Sequence, residues 1–113
     1  MIGISRKKTI VTLIMRLTSQ QIQSIREIAH RITGENGRVS VFGSRLDDKA
    51  KGGDLDLLVE LTEAVSKPAL MAAQISAQVS RLMHGRSVDV LISAPNLKHL
   101  PIHEIALKES QAL

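Results

Sequence analysis

Asp54 and Asp56 flank a single leucine in Gly53-Asp54-Leu55-Asp56-Leu57, and Gly43-Ser44 stands about ten residues upstream at the end of an apolar run. On a strand, residues i and i+2 share a face and lie roughly 6.5 to 7 Å apart along the backbone. Two carboxylates held that close repel, so in a half-buried site the arrangement is stable chiefly when a cation sits between them or one carboxyl keeps its proton. The pattern therefore points to a divalent metal. A third acid, Asp89, leaves another apolar run in Val88-Asp89-Val90. Three oxygen ligands without cysteine or clustered histidine suit Mg²⁺ or Mn²⁺, and magnesium is usually completed by substrate phosphates. Gly43 and Ser44 supply the complementary half: glycine lets backbone N–H groups approach an anion, serine adds a hydroxyl, and a following helical turn would present its positive end.

The elements that must carry these residues are legible from periodicity. Thr18-Ser19-Gln20-Gln21 has capping-box spacing, with Leu17 and Ile22 placed as a hydrophobic staple, so a helix starts there. Ile22, Ile25, Ile28, Ala29 and Ile32 form its buried stripe, and Gly34 ends it. Val39 to Phe42 reads as a strand closed by Gly43, and Phe42 is the only aromatic residue in the chain. Beyond the polar stretch from Leu46 to Gly53, a second strand points Leu55, Leu57, Val59 and Leu61 to a core and Asp54, Asp56, Leu58 and Glu60 the other way. Lys67-Pro68 opens a second helix with Met71, Ile75, Val79 and Leu82 as its buried stripe and Gly85 beyond its end. A third strand, Ser87 to Ile92, turns Val88, Val90 and Ile92 inward and Asp89 outward with Leu91. Pro101 starts a last amphipathic helix expected to use Ile102, Ile105 and Ala106. The order helix, strand, turn, strand, helix, strand makes an α+β domain, a small mixed sheet flanked by helices, in which the strand-borne aspartates converge if their strands are neighbours.

Composition narrows the class. A chain of 113 residues with 43% hydrophobic and 23% charged residues is one folded domain with room for a single core. The absence of cysteine excludes a disulfide framework and thiolate chemistry and suits a reducing compartment, so the cytoplasm is expected. The pI of 9.9 is misleading about nucleic acid. Arg6, Lys7, Lys8 and Arg16 are the only charged residues among the first 16, and without them 11 basic residues balance 11 acidic ones. Residues 1–16 thus read as a basic extension and 17–113 as the domain proper, which is neutral and lacks stacking aromatics. The extension has a short apolar stretch after its cations, too short to span a bilayer and without a small-residue cleavage site, and Met15 is an alternative start. His30, His84, His99 and His103 show no metal-like clustering and read as structural.

Phe42-Gly43-Ser44, Asp54-Leu55-Asp56 and Val88-Asp89-Val90 together resemble the signature of the polymerase-β-type nucleotidyltransferases. Gly-Ser or Asp-x-Asp alone carries little weight, whereas their conjunction at this spacing is specific. The blocks from Val41 to Asp48 and from Gly52 to Glu60 are most similar to the short, stand-alone minimal nucleotidyltransferases (MNT), and the resemblance runs from about Leu17 to Ala106. The resemblance implies the polymerase-β-like fold and a two-metal transfer of a nucleoside monophosphate, usually AMP from ATP, with loss of pyrophosphate. It assigns Asp54, Asp56 and Asp89 as catalytic metal ligands, with Asp89 also placed to draw the acceptor's proton. Gly43 and Ser44 would hold the β- and γ-phosphates, and Arg45 is a further phosphate contact. MNT proteins commonly act as antitoxins beside a HEPN-domain ribonuclease, so a HEPN-type toxin is the expected partner and its hydroxyl the expected acceptor. Two alternatives stay open: a non-catalytic antitoxin acting by binding alone, and a nucleotidyltransferase acting on RNA or a small hydroxylated molecule. The chain departs from the family in lacking the glycine often found after the last helix, where it has Lys108 to Leu113. Self-association, as a homo-oligomer, is left open by the sequence.

Overall fold

A computed structural model describes residues 17–34, 37–42 and 55–113. The basic extension, Gly43, Ser44, Arg45, Asp54 and the expected helical turn after Ser44 lie outside the described residues. Helix α1 (Ser19–Thr33) begins with the capping box the spacing predicts: the Gln21 N–H donates to Thr18 Oγ1 at 3.0 Å and the Thr18 N–H to Gln21 Oε1 at 2.9 Å. It ends at Gly34, whose φ of +89° is a backbone state that side-chain-bearing residues avoid, and the Gly34 N–H closes on the His30 carbonyl at 2.8 Å. Helix α2 (Pro68–Leu82) carries Pro68 in its first turn, where a missing N–H costs nothing.

These helices cover one face of a sheet built from β1 (Arg38–Val41), β2 (Leu55–Glu60), β3 (Val88–Ser93) and β4 (Gln111–Ala112), in the order β3-β2-β1-β4. β1 is antiparallel to β2 and β4, while β2 and β3 run parallel, joined by a crossover through α2. The main core forms where Ile25, Ile28 and Ala29 of α1 and Ile75 and Val79 of α2 meet the inward residues of β1, β2 and β3. Ile22, Ile32, Met71 and Leu82, expected in the stripes, border this core and are partly buried. Outside the sheet ladder, the Asn96 side chain brackets Val65, accepting from its N–H at 3.0 Å and donating to its carbonyl at 2.8 Å. That bracket ties the loop after β2 to the loop after β3.

The opposite face carries helix α3 (Pro101–Glu109) over a smaller core of Phe42, Leu58 and Ala106. Here the expectation for the last helix is corrected. His103 and Ala106 are its buried residues, whereas Ile102 and Ile105 are 43% and 49% exposed. The reason is orientation: α3 sits over the sheet on the arc through 103 and 106, three residues apart, which leaves both isoleucines on a flank. The C-terminal residues, for which no strand was expected, form β4, and the Leu113 N–H donates to the Val39 carbonyl at 3.1 Å. Among the described residues no helix is long and apolar enough to cross a membrane.

Candidate functional site

The parallel pairing of β2 with β3 decides what the face beneath α3 can do. Its register sets Asp56 opposite Asp89, with Leu55 opposite Val88 and Leu57 opposite Val90. Register partners on adjacent strands point to the same face, and strands lie about 5 Å apart, so the two carboxylates leave the sheet side by side. Asp56 is half-buried and Asp89 exposed. The next residues on that face are apolar: Leu58 is fully buried and Leu91 partly so against the smaller core. The carboxylates therefore stand where the covered part of the face gives way to an open part.

Both line a cavity of about 430 Å³ whose other walls include Phe42, Leu91, Ile102 and Ile105. One end of this cavity is tied to the backbone, because the Phe42 N–H donates to the Asp56 carbonyl at 3.1 Å. Phe42 directly precedes Gly43 and Leu55 directly follows Asp54, so the chain neighbours of two further candidate residues are both anchored at Asp56's strand. Gly43, Ser44, Arg45 and Asp54 themselves lie outside the described residues, and Asp56 and Asp89 are the candidates the structure brings together. Among the described residues no group of three or more His, Cys, Asp or Glu side chains gathers.

The donor set tests the expected metal. His103, on the helix that roofs this face, has both ring nitrogens engaged, Nδ1 accepting from the Leu100 N–H at 3.0 Å and Nε2 donating to the Ile92 carbonyl at 3.0 Å. His99 is paired with Glu104 at 2.9 Å. The described donors lining the cavity are thus two carboxylates, hard oxygen ligands with no nitrogen or sulfur among them, and they fit Mg²⁺ or Mn²⁺. The isoleucines of α3 are the site residues that sequence reasoning assigned elsewhere. Their signal was a surplus: Ile102, Ile105, Leu100 and Leu107 give this short segment more large apolar side chains than one contact face can cover.

No protein-family model matches the sequence, and no curated protein matches it. Solved structures do match in shape. A chain in the structure of a tri-AMPylated Shewanella oneidensis HEPN toxin in complex with an MNT antitoxin superposes with a TM-score of 0.59 at 9% identity, covering 85% of this chain and 71% of that one. The MntA–HepT toxin–antitoxin structure gives a TM-score of 0.55 at 10% identity, covering 84% and 70%. A mutant form of that complex gives 0.54 at 12%, covering 86% and 71%.

The chain has the MNT fold. At such identities the likeness is one of architecture, carried by the mixed sheet and its helices. In this MNT fold the acid pair sits on the parallel β2–β3 ladder, and α3 forms one wall of the cavity above it.

Proposed function

We propose that this chain is a metal-dependent nucleotidyltransferase that moves AMP from ATP onto a hydroxyl of a partner protein, acting in the cytoplasm as the antitoxin of a HEPN-type ribonuclease toxin. The observation that carries the reading is the register pairing of Asp56 with Asp89 in the lining of a cavity with apolar walls. A structure of the same fold contains a tri-AMPylated HEPN toxin beside its MNT antitoxin, which supports both the donor and the acceptor class.

Asp54, Asp56 and Asp89 would hold Mg²⁺ or Mn²⁺, which when bound neutralises phosphate charge and makes the acceptor hydroxyl more acidic. Gly43 and Ser44 take the β- and γ-phosphates, with Arg45 as an added contact. The acceptor oxygen forms a bond to the α-phosphorus, the bond between that phosphorus and the β-bridging oxygen breaks, and pyrophosphate leaves. Asp89, exposed at the cavity's edge, takes the hydroxyl proton directly or through water. Phe42, Leu91, Ile102 and Ile105 give the cavity apolar walls beside the carboxylates.

The test is incubation with labelled ATP and Mg²⁺, with and without the co-encoded partner, comparing the native chain with Asp56→Asn. Label transfers to the partner and the substitution abolishes it. Equal labelling by the variant removes the carboxylates from catalysis, and inhibition of the partner without labelling replaces the enzyme with an antitoxin that acts by binding.

A further inference from the structure

Among the described residues β3 is an edge strand, so half of its backbone carbonyls face no described strand. The Leu55 N–H donates to the Ser87 carbonyl at 2.9 Å and the Leu61 N–H to the Ser93 carbonyl at 2.8 Å. Odd-numbered carbonyls of β3 thus turn toward β2, and the period of two sends those of Val88, Val90 and Ile92 to the open edge. Two of these three are met by side chains from opposite layers. Ser76 of α2 donates to the Val88 carbonyl at 2.6 Å, and His103 of α3 donates to the Ile92 carbonyl at 3.0 Å.

His103 is 5% exposed and makes two bonds that together select one tautomer of its ring. The Leu100 N–H can only donate, so Nδ1 must be bare, and the Ile92 carbonyl can only accept, so Nε2 must carry the hydrogen. One ring therefore closes the first turn of α3 and fastens that turn to the strand bearing Asp89. The His99 ring stacks on it with centroids 5.3 Å apart, and His99 is itself held by Glu104. The only other buried residue of α3 is Ala106, whose single methyl offers little grip. Ile102 and Ile105, immediately around His103 in sequence, are the part of α3 that walls the carboxylate cavity.

We propose that His103 is a positioning residue of the candidate site. Through its bond to the Ile92 edge carbonyl it sets where Ile102 and Ile105 stand over Asp56 and Asp89, and so how well the pair retains a divalent cation. The second clause rests on the metal reading above, while the first does not. Two variants separate the two bonds of the ring. Asparagine can reach the Leu100 N–H as Nδ1 does but is too short for Ile92, whereas glutamine can carry an N–H to Ile92 as Nε2 does.

The experiment follows isoleucine methyl NMR signals in the native chain, His103→Asn and His103→Gln, each titrated with Mn²⁺, with Asp56→Asn as the site control. His103→Asn displaces the Ile102 and Ile105 methyl signals and weakens Mn²⁺ binding about fivefold, the factor of one net hydrogen bond, while His103→Gln restores both. Unmoved methyls in His103→Asn, or methyls in a folded His103→Gln displaced as far as in His103→Asn, overturn the proposal. If His103→Asn does not fold, native methyl positions in His103→Gln support it and displaced ones refute it. Mn²⁺ that fails to broaden these methyls in the native chain, or broadens them equally in Asp56→Asn, sinks the metal reading, and the methyl positions still decide the role of His103.

Discussion

Asp89→Asn should make the protein more stable without divalent metal and less stable than the native chain with it. Asp56 and Asp89 are register partners on neighbouring strands, so their carboxylates project from points about 5 Å apart. At that separation two like charges repel by about 1 kcal/mol in bulk water and about 3 kcal/mol at the effective dielectric of a protein surface. Asp89 is exposed and Asp56 half-buried, so the lower figure governs. Physiological salt, with a Debye length near 8 Å, screens such a close pair only in part. Asp56 also takes part in a further polar interaction, so removing one charge is worth at most about 1 kcal/mol, or at most about 4 to 8 °C in Tm for a domain of this size.

With Mg²⁺ the sign turns over. A cation held by the carboxylates would add about 2.7 kcal/mol to the native chain when its concentration is about one hundred times Kd, and the variant would forfeit most of this, more than the charge removal returns to it. Thermal unfolding of both proteins in EDTA and then in excess Mg²⁺ reads the two orders directly: the variant melts higher in the first buffer and lower in the second. A variant less stable than the native chain in EDTA would mean that Asp89 makes a stabilising contact instead of facing repulsion. Equal Mg²⁺ responses would mean that the cation does not sit between these residues. Either result defeats the argument from register.

Leu58→Ala empties a fully buried position between β2 and α3, and chemical denaturation should show a loss of about 3 kcal/mol. Asn96→Ala strands the N–H and carbonyl of the buried Val65, at a cost of about 2 kcal/mol in the same assay. Asn96→Asp should destabilise as well, since a carboxylate can accept from the N–H but has nothing to donate to the carbonyl. Thr18→Ala removes the Oγ1 acceptor of the capping box while keeping the backbone N–H that donates to Gln21, and should cost about 1 kcal/mol, with hydrogen exchange accelerated selectively in the first turn of α1.

What could be read in advance follows the range of the interactions involved. The limits of α1 depend on Thr18, Gln21 and Gly34, and the start of α2 on Pro68, all local choices of backbone state or hydrogen bond, so these boundaries were legible. Alternation in Leu55-Asp56-Leu57 likewise separates two faces. Nothing local states which strand lies beside which, and the juxtaposition of Asp56 with Asp89 exists only because α2 returns the chain parallel to β2 in one particular register. β4 is two residues long and has no period to read.

The misreading of α3 is the more instructive case. An amphipathic pattern reveals how wide an apolar arc is but not which part of it meets the sheet, and the isoleucines were the natural choice on hydrophobicity alone. The histidine displaced them because the open edge of β3 leaves the Ile92 carbonyl in need of a donor, and an imidazole can answer that carbonyl and the Leu100 N–H together. Satisfying buried backbone groups thus outweighed covering two aliphatic side chains. The consequence is geometric: the apolar surface left over, Ile102 and Ile105, stands about half exposed in the lining of the cavity that holds Asp56 and Asp89.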